Sequence, residues 1–240
     1  MPAYLKKWRL AKTESLKVLK EIIPQTNTIL DVGVLTGTYE LVTIFPTAKH
    51  VLFEPVLAHK EKICFNYNKW GVDFDLVVAA ISNKTGFVNL KTWGIFSTDE
   101  ISHARMDMQT ISENKLDAVG LVAMTTLDHY LADKDFIKPY LLKIDIDGYE
   151  QMVLEGGLKT LECTNAVIVE ARPANFFVIN QLLMKASFHL FDIVDFCYYD
   201  NKLAQFDMIF IKDEVSRKNH MYKDGFDIAK WNYYPRDIVE

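Results

Sequence analysis

The chain has 240 residues, half of them hydrophobic and a quarter charged, and a formal net charge of −5. That is enough for one α/β domain with its own core, and it excludes fibrous, disordered and disulfide-stapled classes. Without a basic excess, it also excludes a broad electrostatic footprint for nucleic acid.

The three cysteines, Cys64, Cys163 and Cys197, are far apart and lack metal-ligand spacing, so they are expected to be reduced thiols. Lys6, Lys7 and Arg9 are followed by no apolar run, and a stretch such as Leu76–Ile81 is far too short to span a bilayer. The expectation is a cytoplasmic protein with no membrane span.

In chain order, residues 4–22 carry apolar positions at helical spacing and stop at Pro24. Thr28–Val32 reads as the first buried strand, and a helix over Tyr39–Phe45 ends before Pro46. His50–Phe53 is a second strand, Leu57–Trp70 a helix, and Leu76–Ala80 a third strand. Ser82–Gly86 is a turn signal, and Phe87–Leu90 an extra short strand. Residues 93–119 are polar and weakly periodic, which fits either a lid or a disordered segment. Thr126 is placed to cap a short helix through Leu131. Leu141–Ile146 reads as a central strand, Tyr149–Leu161 as a helix, Ala166–Glu170 as a strand and Phe176–Ala186 as a helix. His189–Ile193 and Phe206–Ile211 are closing strands whose short connection suits an antiparallel hairpin. Strands alternating with helices imply a mainly parallel seven-stranded sheet with an antiparallel terminal strand and helices on both faces.

Three groups of residues carry chemistry. Asp31-Val32-Gly33-Val34-Leu35-Thr36-Gly37 joins the first strand to its helix, where glycines let the backbone turn tightly against a ligand. Its spacing is neither that of the dinucleotide fingerprint nor that of a P-loop. Glu54 ends the second strand, about twenty residues on, where a carboxylate can accept ribose hydroxyls. Lys143, Asp145 and Asp147 alternate on one face of the central strand, a costly choice unless they are paired. They read either as a structural pair tying the sheet or as a reaction centre at its edge. Glu150 opens the next helix, where a carboxylate is favourable in any case.

The succession Ile29-Leu30-Asp31-Val32-Gly33, Phe53-Glu54-Pro55, Ala80–Gly86, Thr126-Leu127-Asp128, Leu142–Glu150 and Val167–Glu170 resembles the FkbM family of methyltransferases over residues 28 to about 172. The resemblance implies a Rossmann-like class I methyltransferase fold using S-adenosyl-L-methionine, often acting on hydroxyls of sugars or polyketide-like products. It divides the chain into an N-terminal helix (1–25), a methyltransferase domain (26–212, with 93–119 as the lid or acceptor loop) and a C-terminal arm (213–240). By the same resemblance Asp31, Gly33 and Gly37 bind the methionine part of the cofactor, and Thr36, Pro55 and Asp145 also belong to the cofactor-binding set. Glu54 holds the ribose, Ala79 or Ala80 lies along the adenine edge, and Asp145 sits by the reaction centre. Val34-Leu35-Thr36 and Asp147 depart from the family pattern without removing a needed group.

A hydroxyl acceptor benefits from a base. Asp145, Glu150 and Lys143 are the catalytic candidates, with His103 a further one. Lys143 would serve only if burial lowered its pKa, and Asp145 opposes that. Asp145 and Glu170 end adjacent strands, so two carboxylates could hold a magnesium ion there, although no metal site is assigned. The expected partner is a small-molecule or glycan acceptor, and an oligomer is compatible with the sequence. Two other classes stand as alternatives: an NAD-dependent oxidoreductase, and a degenerate member that only binds a partner.

Overall fold

The computed structural model describes residues 11–94, 101, 103–107 and 120–218. Helix α1 (Lys12–Ile22) leads into β1 (Thr28–Val32), α2 (Tyr39–Ile44) and β2 (Lys49–Phe53). A 3-10 turn (Leu57–His59) and α3 (Lys60–Trp70) precede β3 (Phe74–Val77), β4 (Ala80–Ile81), β5 (Gly86–Trp93), β6 (His103–Asp107) and β7 (Leu121–Thr125). The second half runs through α4 (Leu127–Leu131), β8 (Tyr140–Ile144), α5 (Glu150–Glu155), α6 (Leu158–Glu162) and β9 (Thr164–Ala171). It continues with α7 (Phe176–Lys185), β10 (Phe188–Tyr199), β11 (Lys202–Lys212) and α8 (Asp213–Lys218).

The main sheet has seven strands in the order β10-β11-β9-β8-β1-β2-β3. All neighbours from β9 to β3 are parallel, and β11 runs antiparallel to both β9 and β10. Among the described residues the last strand, β11, is therefore the antiparallel one. It lies inside the sheet, with β10 at the edge.

The two faces follow from strand alternation. Leu30, Val32, Leu142, Ile144, Val167 and Val169 point to one side, where Leu127 of α4, Val153 and Leu154 of α5, Leu161 of α6 and Ile179 and Leu183 of α7 cover them. Ile29, Leu141, Ala166 and Ile168 point to the other, under Leu16 and Leu19 of α1 and Leu41 of α2. Leu52 continues that face under Ile63 and Tyr67 of α3. Both faces are dry, which is why these strands read as continuous apolar runs.

Three expectations change. The strand expected over Leu76–Ala80 is two strands in two sheets. The chain leaves the main sheet after Val77, turns with the Ala79 N–H donating to Val77 O (3.0 Å), and starts a second sheet of order β4-β7-β5-β6. Part of the expected lid, 103–107, is strand β6 of that sheet, and β7 had no counterpart in the sequence reading; 95–100, 102 and 108–119 lie outside the described residues. The single helix expected over Tyr149–Leu161 is two, parted at Gly156-Gly157. A side chain at Gly156 would meet Ser82 O at 2.1 Å, so glycine lets the helix end press against the second sheet. Thr126 caps α4 as its type suggests, accepting from the His129 N–H at 3.0 Å. Residues 1–10 and the aromatics of the C-terminal arm, Tyr222 to Tyr234, also lie outside the described residues. No described helix is long and apolar enough to cross a membrane.

His50 on β2 is fully buried, edge-on to Tyr67 at 5.9 Å, and burial lowers its pKa from 6.5. The fold holds it neutral, whereas the unfolded chain protonates it near 6.5. Its contribution is thus present above pH 6.5 and is lost as the pH falls below that value. Thermal melts from pH 7.5 to 5.5 should show the melting temperature of wild type falling more steeply than that of His50→Leu. Parallel curves would exclude His50 as a source of acid lability.

Candidate active site

A cavity of about 370 Å³ opens beyond the carboxyl ends of β1, β2, β8 and β9. That is where parallel α/β sheets bind ligands. Gly33, Leu35, Glu54, Pro55, Asp145 and Asp147 line it from the strand ends, with Glu170 and Gln205. Ala79 and Ala80 line it at the step between the sheets, and Leu90, His103 and Met106 come from the second sheet. The second sheet is therefore a wall of the cavity.

The floor is built on charge. Asp31 on β1 is registered with Lys143 on β8, and both side chains point to the same face. Asp31 is 0% exposed and Lys143 5%. The Lys143 ammonium lies 3.2 Å from Asp31 Oδ1 and 3.5 Å from Asp145 Oδ2, and it donates to Gly33 O at 2.6 Å. Burial works against its charge. The two carboxylates outweigh that and hold its pKa above the usual value. Lys143 is thus a fixed cation, which removes it as a base. It shapes the site by tying the ends of β1 and β8 together.

Gly33 is the point of closest approach. Its N–H donates to Phe53 O at 3.0 Å, and the Asp145 N–H donates to Val32 O at 2.9 Å. A Cβ on Gly33 would lie 1.8 Å from Asp145 O, and its φ of +85° suits glycine alone. Leu35 also has positive φ (+56°), which turns its N–H onto Glu54 Oε2 at 2.8 Å. Glu54 Oε1 accepts the Val56 N–H at 2.9 Å and stands 3.5 Å from His59 Nδ1. The nearby Glu54 carboxylate raises the pKa of His59, a cavity residue that sequence reasoning missed. Its only signal was a histidine five residues after Glu54.

Five of the expected residues do not line the cavity. Asp31 and Lys143 lie beneath it. Thr36 offers its carbonyl to Asn66 Nδ2 (2.7 Å), and Gly37 packs on Trp70, where a Cβ would come within 2.5 Å of the ring. These two shape the loop. Glu150 is buried and turned to backbone: Oε1 accepts the Gly148 N–H (2.8 Å) and Oε2 accepts Asn175 Nδ2 (3.0 Å), while burial raises its pKa. It braces the turn that presents Asp147. His103 lies on β6, stacked on Trp93. Among the described residues, no group of three or more His, Cys, Asp or Glu is placed to hold a metal ion.

The sequence pattern of the methyltransferase FkbM domain matches residues 31–196. The chain belongs to the FkbM methyltransferase family. The match begins at Asp31, near the end of β1, and takes in the step between the sheets and the strand that carries Lys143. Similar solved structures include methyltransferase FkbM from Methylobacillus flagellatus KT, at 13% identity and TM-score 0.49 over 76% of this chain. This chain spans 43% of that protein. An rRNA methylase from Streptococcus thermophilus is similar at 12% identity and TM-score 0.48, with 83% and 94% of the two chains covered. Precorrin-6y C5,15-methyltransferase from Geobacter metallireducens GS-15 is similar at 8% identity and TM-score 0.45, with 85% and 90% covered. No curated protein matches the sequence.

Because Lys143 neutralises a wholly buried carboxylate, Lys143→Met should destabilise the fold by about 3–5 kcal/mol in urea unfolding, and adding Asp31→Leu should recover most of that loss. A single substitution costing under about 1 kcal/mol would show that Asp31 is satisfied in another way.

Proposed function

We propose that this FkbM methyltransferase transfers the methyl group of S-adenosyl-L-methionine to a hydroxyl group of a small-molecule, sugar or glycan acceptor. The observation that carries this reading is the convergence of Gly33, Glu54 and Asp145 on one cavity. Each has the chemistry that one part of the donor needs. The bare backbone of Gly33 leaves room for the methionine chain. Each Glu54 oxygen accepts one backbone N–H and keeps a second lone pair, which suits the two hydroxyls of a ribose. Ala79 and Ala80 are small and apolar and leave a slot for a flat base, with Pro55 alongside. Asp145, with 42% of its side chain exposed, supplies a carboxylate for an ammonium group. Asp31 acts on this site through Lys143, and Thr36 and Gly37 act through the shape of the loop.

When bound, the donor supplies an electrophilic methyl on a sulfonium. The protein's part is to position, to exclude water and to handle one proton. Exclusion of water falls to the second sheet, whose Leu90 and Met106 give the cavity an apolar wall. Asp145 is held at the strand end by its own N–H and by Lys143, so it meets the ligand in a fixed orientation.

Calorimetric titration with S-adenosylhomocysteine should give micromolar binding, and NADH run in parallel should give none. Glu54→Ala should weaken binding by about 100-fold or more, the scale of two lost hydrogen bonds to a charged group. Incubation with methyl-labelled donor and a panel of sugars and polyols should then move label into an O-methyl product, and Asp145→Ala should lower that turnover. Folded protein that binds neither ligand would overturn the reading.

A further inference from the structure

Glu170 ends β9 inside the same cavity, 7% exposed. Its two oxygens are treated differently. Oε1 accepts a hydrogen bond from Gln205 Nε2 at 2.6 Å. Oε2 is buried and takes no hydrogen bond among the described residues. The adjacent cation, Arg172, lies 3.7 Å from Oε2 but gives its hydrogen bond to Asp147 Oδ1 at 3.0 Å.

The charges facing Glu170 come from several elements. Asp145 and Asp147 follow β8, Glu150 opens α5, and Arg172 follows β9. Asp207, its cross-strand partner on β11, is committed to Lys12 of α1, and neutral Gln205 stands on the same strand. His103 enters the cavity from β6. Burial comes first, and the charge of Asp145 adds to it; together they push the Glu170 carboxyl up to about 8. A glutamine would fill the same place with no ionisation to suppress.

We propose that Glu170 is the catalytic base that takes the acceptor's proton, that Gln205 positions it, and that the acceptor hydroxyl binds at the Glu170–Gln205 end of the cavity. The proposal rests on the methyl-transfer reading. In the step, the acceptor oxygen bonds to the methyl carbon as the carbon–sulfur bond breaks. The electron pair of that bond stays on sulfur, leaving a neutral thioether, and the hydroxyl proton passes to the Glu170 carboxylate. A carboxylate raised toward 8 is a stronger base for a hydroxyl than one at its ordinary value. Without a ligand most of it is protonated at pH 7. A cation in the same cavity favours the ionised form, so the charged donor readies the base and the neutral product does not.

This linkage can be tested without an acceptor. Calorimetry at pH 7 in two buffers of different ionisation heat counts protons released on binding. Wild type should release between about half and one more proton with S-adenosylmethionine than Glu170→Gln does, and with S-adenosylhomocysteine the two proteins should agree. The variant subtracts whatever the ligand's own amino group contributes. Gln205→Leu keeps the carboxyl but removes its donor, so proton release should persist and move to higher pH. Glu170→Gln should also melt above wild type by a margin that grows from pH 5 to 8, because it has no carboxyl to ionise. With an acceptor from the labelled-methyl screen, kcat/KM of wild type for the donor should rise with pH through the range of the free carboxyl, while that of Glu170→Gln should be flat and about 100-fold lower or more. Equal proton release by wild type and Glu170→Gln, or a variant pH profile parallel to wild type, overturns the proposal and leaves methyl transfer standing. Failure of both ligands to bind wild type overturns methyl transfer itself.

Discussion

The site depends on one buried ammonium. Lys143 sits in the centre of a largely apolar sheet, and it touches Asp31, the Gly33 carbonyl and Asp145 at once. An unpaired charge there would cost several kcal/mol, so the three contacts are a condition for the strand to exist in this register. The same contacts bring the ends of β1 and β8 together so closely that only glycine fits at position 33. The opening above them is the cavity. Stability and function share these atoms: the ion pair is what keeps the strand ends in place, and the strand ends are what a ligand meets.

Around this fixed centre the carboxylates divide by environment. Glu54 accepts one backbone N–H on each oxygen, which fixes its orientation. Asp147 is matched by Arg172. Glu150 is turned inward to brace a turn. Glu170 is buried beside other carboxylates, and its elevated pKa follows first from that burial and then from the charge of Asp145. Carboxyl groups with pKa values driven apart in one cavity are the usual way in which a site divides binding from proton transfer.

Much of this was legible in the sequence because the polar residues interrupt strands that should be apolar. Asp31 and Lys143 stand out inside Thr28–Val32 and Tyr140–Ile144 for that reason, and Gly33 and Glu54 fall at strand ends where ligands bind. What was not legible has equally physical causes. The run Leu76–Ile81 has no glycine, proline or charge to mark a break, so its division between two sheets depends on tertiary pairing with β7. Strand β6 contains His103, Arg105 and Asp107, a polar alternation that looks like a loop until its pairing with β5 is known. Gln205 lies on a hairpin strand far along the chain, and only the cross-strand geometry puts it on Glu170. Lys143 was read as a candidate base because its type allows it. The two carboxylates that keep it charged are a matter of distance.

The break at Gly156-Gly157 links parts of the molecule that the topology keeps separate. Gly156 bears directly on the Ser82 backbone, at the start of the second sheet, while α5 begins at Glu150, which holds the turn carrying Asp147 and Gly148. Helix α5 is therefore a short strut with one end on the cavity's wall and the other on its floor. Close-packed interiors transmit displacement rather than absorb it. A side chain at position 156 would therefore push on the wall and, through α5, on the turn that Arg172 holds at Asp147.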